Sequence, residues 1–341
     1  MKPFAELSYS GQVKRLLRLA QSALLNYNLD KSRLVCLAHG ENTTFKVELG
    51  SDKSRETLDK TDCCYVLRIY RPGKHDFASI HSELLWLLSL QHKTDLAVAQ
   101  PVSASDGSLF VMAEAEGVPE ARYCTLFRWL PGRFLDAGLS PKAIVLMGIF
   151  LAQLHQYSQQ FIVPKGFVRP RIDEDGLFGT FPISLSIESK LLVSQSNQAV
   201  LEASAKKIRS SMQDLRQHRE FFGLIHGDLH YGNCKFYQGK IQVFDFDDCG
   251  WSYYLYDLAV TLYYFRNRSE YPVWRKVLLE SYQQICSLPK QTESCLDALI
   301  AARRLHLLRD LLQRQDHPKL RELTPKFINS SVEELNKFLN Q

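Results

Sequence analysis

No apolar run in this chain is long enough to span a bilayer: the longest, Ala143 to Ala152, covers about ten residues, where roughly 20 are needed. The opening residues, MKPFAELSYSG, lack the apolar centre of a secretory signal, which leads to the expectation of a cytoplasmic protein. CxxC pairs and zinc-like spacings are missing among the 8 cysteines, at 36, 63, 64, 124, 234, 249, 286 and 295. These read as reduced thiols, several of them small core residues, and not as a disulfide framework. Neither sign of charge dominates, with 42 Lys+Arg against 37 Asp+Glu and a net charge of +5. The short basic clusters Lys206-Lys207 and Arg303-Arg304 read as solvated helix faces, so neither nucleic acid nor membrane is expected as a partner. Internal repeats, low-complexity tracts and a GxxxxGK[ST] phosphate loop are absent as well.

What is present is an ordinary globular composition, 45% hydrophobic and 23% charged, in a chain long enough for two lobes. Ser10 to Tyr27 carries Val13, Leu16, Leu17, Ala20 and Leu24 on one helical stripe. The period then changes: Leu34 to Leu37, Thr44 to Leu49 and Tyr65 to Tyr70 predict strands, with Ser51 to Asp62 an exposed hairpin loop. A helix over Ile80 to Leu90 and strands at Ser108 to Ala113 and Tyr123 to Trp129 complete this half. Leu130-Pro131-Gly132 breaks the pattern and marks the boundary, giving lobes 1–130 and 131–341. Beyond it Ser140-Pro141 reads as the cap and first residue of a buried helix running to about Gln160. Pro164 to Pro182 reads as a long loop, followed by helices over Ile187–His218, Tyr254–Phe265, Val273–Ser287 and Cys295–Gln313. Ser330 with Glu333 reads as the capping box of the last helix.

The stretch LIHGDLHYGNCKFYQGKIQVFDFDD, residues 224–248, carries the chemistry. Gln238-Gly239 joins two short strands as a two-residue hairpin turn, which brings Asn233 and Asp245 to the same end of a ribbon. Oxygen donors there suit a hard divalent cation such as Mg²⁺, with phosphate and water filling its remaining positions. Asp228, in the loop just before the ribbon, is in reach of the same point. In phosphoryl transfer through a loose transition state, a carboxylate of ordinary pKa can aim a hydroxyl and take its proton late. Each residue alone has a local reading, since Asp and Asn beside Gly favour turns. His226 and His230 have the i, i+4 spacing of a helical zinc pair, but Gly227 argues against a helix and the two read as structural braces.

These residues resemble a known family. HGDLHYGN (226–233), FDFDD (244–248) and YDLA (256–259) resemble the aminoglycoside phosphotransferase and choline kinase superfamily, whose enzymes are similar in fold to eukaryotic protein kinases. HGENTTFKV (39–47) resembles the phosphate-covering strand–turn–strand, YVLRIYRPG (65–73) the strand with the ATP-contacting cation, SELLWL (82–87) the helix with its acidic partner, and LFRWLPG (126–132) the hinge. The resemblance implies an α+β, two-lobed protein-kinase-like fold: a small antiparallel-sheet N-lobe with one helix, and a larger, mainly helical C-lobe carrying the catalytic hairpin. It implies a Mg-ATP-dependent phosphotransferase acting on a small-molecule hydroxyl. A Ser/Thr protein kinase of the same fold and a nucleotide-binding regulatory module without turnover are the alternatives.

Carried over residue by residue, the resemblance makes Asp228 the catalytic carboxylate and Asn233 and Asp245 the metal ligands. Arg68, Glu83, Gly40, Asn42, Phe127 and Trp129 fall on the nucleotide side, with Glu83 pairing the strand cation. His226, Asp247 and Asp257 are supporting residues, and Asp247 or Asp248 is either a further metal contact or a solvated turn residue. Arg68 stands where the family usually has Lys: it keeps the charge with a longer planar head, and its bland reading is an outward-facing strand residue. The turn at Gly40 to Thr43 lacks the several glycines of protein kinases and reads equally as a plain hairpin. Trp251, Tyr253 and Tyr254 are either the wall of an acceptor pocket, suited to a cationic amine, or simple packing. Arg169 and Arg171 in VRPRIDEDG either read an acceptor or pair with neighbouring acids.

Overall fold

A computed structural model describes residues 2–50, 63–135, 139–178, 192–315 and 318–341. The chain divides into two compact units that are discontinuous in sequence. One comprises Met1–Arg133, Val163–Val168 and Lys235–Phe244; the other comprises Phe134–Ile162, Arg169–Cys234 and Asp245–Gln341.

Among its described residues the first unit holds an antiparallel sheet and two α-helices. Its strands are β1 (Arg33–His39), β2 (Thr43–Glu48), β3 (Cys64–Ile69), β4 (Pro101–Val102), β5 (Val111–Ala113) and β6 (Arg122–Arg128), in the order β1-β2-β3-β6-β4 with β5 also on β6. In β2 buried and half-buried residues alternate strictly, so Phe45 and Val47 enter the core while Lys46 and Glu48 do not. Helix α1 (Tyr9–Leu25) starts at Ser8, whose side chain accepts from Gly11 N, and lays Leu16, Leu19, Ala20, Ala23 and Leu24 into the same core as Phe45, Val47, Leu67 and Ile69. Helix α2 (Phe77–Lys93), capped by Asp76, buries Ile80, Glu83, Leu84 and Leu87, while Leu88 is only half-buried. The exposed loop expected over Ser51 to Asp62 lies outside the described residues.

The second unit is mainly helical. Helix α3 (Pro141–Ser158) is capped by Ser140, which accepts from Ala143 N, and packs on α7 (Tyr271–Gln283). Gly148 permits that approach: a Cβ there would lie 2.1 Å from Ser281 Oγ. Between them in sequence come α4 (Glu174–Phe178), α5 (Gln195–Leu215) and α6 (Tyr254–Tyr263), and α8 (Thr292–Leu312) packs against α5, α6 and α9 (Pro318–Leu339). The α4 turn interrupts what reads as a loop over Pro164 to Pro182, and the start of the next expected helix, up to 191, lies outside the described residues.

Two expectations are corrected here. Arg303 and Arg304 are not on a solvated face: they are 3% and 5% exposed, on the stripe of α8 that buries Leu296 and Leu299. Ser330 caps nothing, because α9 begins at Pro318 and Ser330 sits in its interior. Its hydroxyl and that of Ser331 instead accept from Arg304, Nη2 at 2.5 Å and Nε at 2.8 Å. A buried guanidinium needs partners more than the helix needs a mid-chain cap.

None of the 8 cysteines, all of them among the described residues, is in a disulfide. No helix among the described residues is long and apolar enough to cross a membrane.

Candidate active site

Two short strands of the second unit, β7 (Phe222–Ile225) and β8 (Gly250–Tyr253), pair antiparallel with Ile225 opposite Gly250. That register sets the segment leaving β7, with Asp228, beside the segment entering β8, with Asp247 and Asp248. The two backbones nearly touch: Gly227 has φ 80, and a Cβ on it would stand 2.4 Å from Asp248 O. Only glycine fits such a position.

Asp257, in the first turn of α6, holds the loop from beneath. Its Oδ2 accepts from His226 N at 2.8 Å and its Oδ1 from Gly227 N at 2.9 Å. His155 of α3 donates Nε2–H to the same Oδ2 (3.2 Å), and its Nδ1 accepts from Tyr282 Oη (3.0 Å). Burial alone would raise the Asp257 carboxyl; His155 and the His226 donors override it and hold it below its ordinary value. Burial depresses His155, so the ring is neutral with its proton on Nε2. His226 is fully buried, and its Nδ1 accepts from Asp228 N at 3.2 Å.

Asp228 is the partly exposed end of this construction, with 20% of its side chain accessible. Asn233, closing the 3-10 turn Tyr231–Asn233, donates Nδ2 to Asp228 O (3.0 Å) and to Oδ2 (3.3 Å). The other carboxylate oxygen, Oδ1, accepts from Arg303 Nη2 and from Tyr264 Oη (3.3 Å). His230 caps the 3-10 turn by accepting Gly232 N on Nδ1 (3.0 Å), and its Nε2 lies 3.7 Å from Asp228 Oδ2. Burial keeps His230 neutral, depressing it to about 4, with the charges of Arg303 and His226 acting in the same direction. Burial pushes the Asp228 carboxyl up to about 7; Arg303 opposes the shift, and Asp248 and Asp245 add to it. Arg303 remains charged: burial opposes the charge, and Asp228, Tyr264 and Tyr256 together outweigh it.

Asp245 stands in the left-handed region, φ 65 and ψ 63, heading the 3-10 turn Phe246–Asp248. Asp is among the few residues that tolerate it. Asp247 is 4% exposed, not a solvated turn residue, and its main-chain O accepts from Arg169 Nη2 at 2.6 Å. Arg169 also donates Nε to Cys249 O (2.7 Å), so it braces this segment, and Arg171 pairs with Asp173.

The donor set fits a hard divalent cation. Because the amide nitrogen of Asn233 is engaged by Asp228, its Oδ1 is left as an acceptor. Asp245 and Asp248 lie near enough for their charges to raise Asp228, a repulsion that a cation relieves. No group of three His, Cys, Asp or Glu side chains among the described residues forms a complete metal cage.

In the first unit Arg68 of β3 donates Nη1 to Glu83 Oε1 of α2 at 2.7 Å; the side chains are 7% and 0% exposed. The guanidinium lies 4.9 Å over the Phe127 ring and 5.5 Å over Tyr70, whose hydroxyl reaches Glu83 Oε2 at 3.4 Å. Arg68 is therefore an inward residue of the strand. Trp129 is half-buried beneath Lys235 Nζ (4.0 Å) and Lys46 Nζ (4.9 Å). The β1–β2 turn is tied down where Asn42 Oδ1 accepts Arg71 N (3.1 Å), whereas a Cβ at Gly40 would meet open space.

Of the aromatic trio, Tyr253 and Tyr254 are interior, 4% and 2% exposed; Tyr253 donates to Glu174 Oε2 (3.0 Å) and Tyr254 stacks on His155 (4.4 Å). They are packing residues, and only Trp251 keeps part of its surface. The residues missed in the sequence are Arg303 and Tyr264. The signal for Arg303 was its place four residues after Leu299 and seven after Leu296, on the apolar stripe of its helix.

Residues 39–323 match the phosphotransferase enzyme family, and the chain belongs to it. An uncharacterised protein of Deinococcus radiodurans is 30% identical over 235 residues, 69% of this chain and 62% of that protein, so the alignment spans under two thirds of that relative. Among solved structures, a microcompartment-associated aminopropanol kinase superposes with a TM-score of 0.80 at 26% identity, covering 95% of this chain and 98% of the other. Amicoumacin kinase hAmiN, in complex with AMP-PNP, Ca²⁺ and Ami, superposes with a TM-score of 0.71 at 20% identity, covering 96% of each chain. The fold is thus the α+β, protein-kinase-like fold of the small-molecule phosphotransferases.

Proposed function

We propose that this chain is a cytoplasmic Mg-ATP-dependent kinase that moves the γ-phosphate of ATP to a hydroxyl of a small molecule. The observation that carries the reading is Asp228: a carboxylate with one accessible end, on a loop locked by Asp257 and tied to the amide of Asn233. The acceptor oxygen attacks the γ-phosphorus as the bond to the β-γ bridging oxygen breaks; ADP leaves and the hydroxyl proton passes to Asp228. Asn233 Oδ1 and Asp245 would hold Mg²⁺, which would supply positive charge to offset the negative charge developing on the departing ADP. Arg68, steadied by Glu83, is assigned to the phosphate oxygens. The name of the similar aminopropanol kinase supports a hydroxyl acceptor that also carries an amino group.

The test is ADP release from Mg-ATP with a panel of hydroxylated amines: aminopropanol, choline, homoserine and spectinomycin. At least one should stimulate release, with a phosphorylated product of matching mass. Phosphate entering casein with every small molecule inert would move the assignment to a protein kinase. One observation favours a reading without turnover: Arg68 is largely buried and engaged by Glu83, in the position where the family usually has Lys. In that case Mg-ATP raises the melting temperature while no acceptor stimulates ADP release.

A further inference from the structure

Asp228 has more donors on it than the proposed reaction calls for, and they are unevenly placed. A carboxylate oxygen has about two good acceptor directions. Oδ1 receives Arg303 Nη2 and Tyr264 Oη, which fills both. Oδ2 has one hydrogen bond among the described residues, from Asn233 Nδ2 at 3.3 Å, with His230 Nε2 farther off at 3.7 Å. Arg303 and Tyr264 are themselves locked together, Nη2 to Oη at 3.1 Å, and Arg303 Nη1 reaches Gly227 O at 3.4 Å. The guanidinium is therefore fastened to the loop backbone, to the tyrosine and to one oxygen of the acid.

We propose that Arg303, with Tyr264, is a positioning residue that occupies Oδ1 of Asp228 and so leaves Oδ2 as the oxygen that receives the acceptor hydroxyl. This rests on the kinase reading. The clamp stops the carboxylate from rotating about its last bond, an sp³–sp² torsion with a broad, shallow profile when nothing holds it. A hydroxyl donating to Oδ2 then meets one geometry in place of several, which is where orientation lowers a barrier. The planar fork of Arg suits the task, since it contacts the acid, the ring hydroxyl and the backbone carbonyl from one plane. A structural role alone would need only the charge.

The experiment compares wild type with Arg303→Gln, Arg303→Lys, Tyr264→Phe and the double variant Arg303→Gln/Tyr264→Phe. Each is measured for ADP release with the hydroxylated amine of the panel that stimulates the wild type and with water as sole acceptor, and for the melting shift caused by Mg-AMP-PNP. The expected result is a fall in kcat of roughly 100-fold for Arg303→Gln, the scale of a displaced general base. The KM for ATP and the nucleotide-induced shift should stay within about twofold of wild type. Arg303→Lys should recover about tenfold of that loss. Tyr264→Phe, which keeps the ring and so folds, should lower kcat by about fivefold, and the double variant should lose less than the product of the two.

Wild-type kcat in Arg303→Gln overturns the proposal, as does a parallel loss of turnover and nucleotide binding in Tyr264→Phe. An insoluble Arg303→Gln together with unchanged kcat in Tyr264→Phe also overturns it. A wild type that releases no ADP with any hydroxylated amine of the panel removes the kinase reading itself and this inference with it, an outcome distinct from failure of the clamp alone.

Discussion

The Asp257 carboxylate accepts the amide of Gly227 at 2.9 Å, and through its other oxygen the amide of His226 at 2.8 Å. Two successive backbone donors of the loop thus end on one buried side chain, which itself leans on His155. The position of Asp228 is inherited from this grip.

Asp257→Asn should therefore be costly although it is isosteric. One carboxylate oxygen becomes an NH₂ that must face a donor, whichever way the amide is turned. A loss of about 2–4 kcal/mol is expected, read as a lower urea midpoint with unchanged m-value. An unchanged midpoint would show that the loop is held by something else.

Asp228→Asn should remove turnover and leave nucleotide binding. The expected fall in kcat is about 10²- to 10⁴-fold, with AMP-PNP affinity within a few-fold of wild type. Ala is the poorer choice, because it also takes from the buried Arg303 the hydrogen-bond acceptor that the amide oxygen of Asn retains. Retained turnover in the Asn variant would end the acceptor-activating role.

Asp245 separates metal binding from backbone strain. Asn tolerates φ 65, so Asp245→Asn should fold like wild type yet lose most of the Mg-dependent melting shift with ATP. Asp245→Ala should lose the shift and a further 1–2 kcal/mol or so of stability from the left-handed backbone. A full Mg-dependent shift in both variants would place the cation elsewhere.

Acidification should destabilise the protein through His306, which burial depresses to about 4 while its ring meets Tyr256 Oη and Asp310. Its folded pKa lies below the unfolded value of about 6.5, so between the two the unfolded chain binds more protons. Stability contributed by the neutral ring is complete above about 6.5 and falls as pH drops towards 4. Asp228 has the opposite sign: its folded pKa of about 7 exceeds the unfolded value, so its contribution is lost as pH rises through 7. Urea midpoints from pH 7 to 4.5 in an Asp228→Asn background remove the opposing carboxyl; His155 and His230, also depressed by burial, act in the same direction, so the share of His306 is the part of the decline lost on its substitution. The decline should flatten in His306→Gln, and a profile that keeps its slope would remove the assignment.

Much of this was legible without coordinates, and for local reasons. Phe45 and Val47 alternate with charged residues because a pleated strand has a period of two. Ser140-Pro141 starts α3 because an oxygen is placed for Ala143 N and proline needs no partner for the N–H it lacks. Gln238 and Gly239 take φ 47 and 84, the paired positive values of a tight hairpin turn that Gly makes accessible. The order Asp228, Asn233, Asp245 was likewise readable, since a loop and a short hairpin set their spacing.

What tertiary structure alone decided is which charges are solvated and which are paired. Arg303 and Asp228 are 75 residues apart, and only the docking of α8 beneath the loop brings them together. The same packing turned Ser330 from a cap into a ligand of Arg304 and sank Tyr253 and Tyr254 into the interior. Sequence determines backbone preference over a few residues, because sterics and hydrogen bonding act at that range. Whether a charged side chain meets water or another charge depends on what the rest of the chain places in front of it.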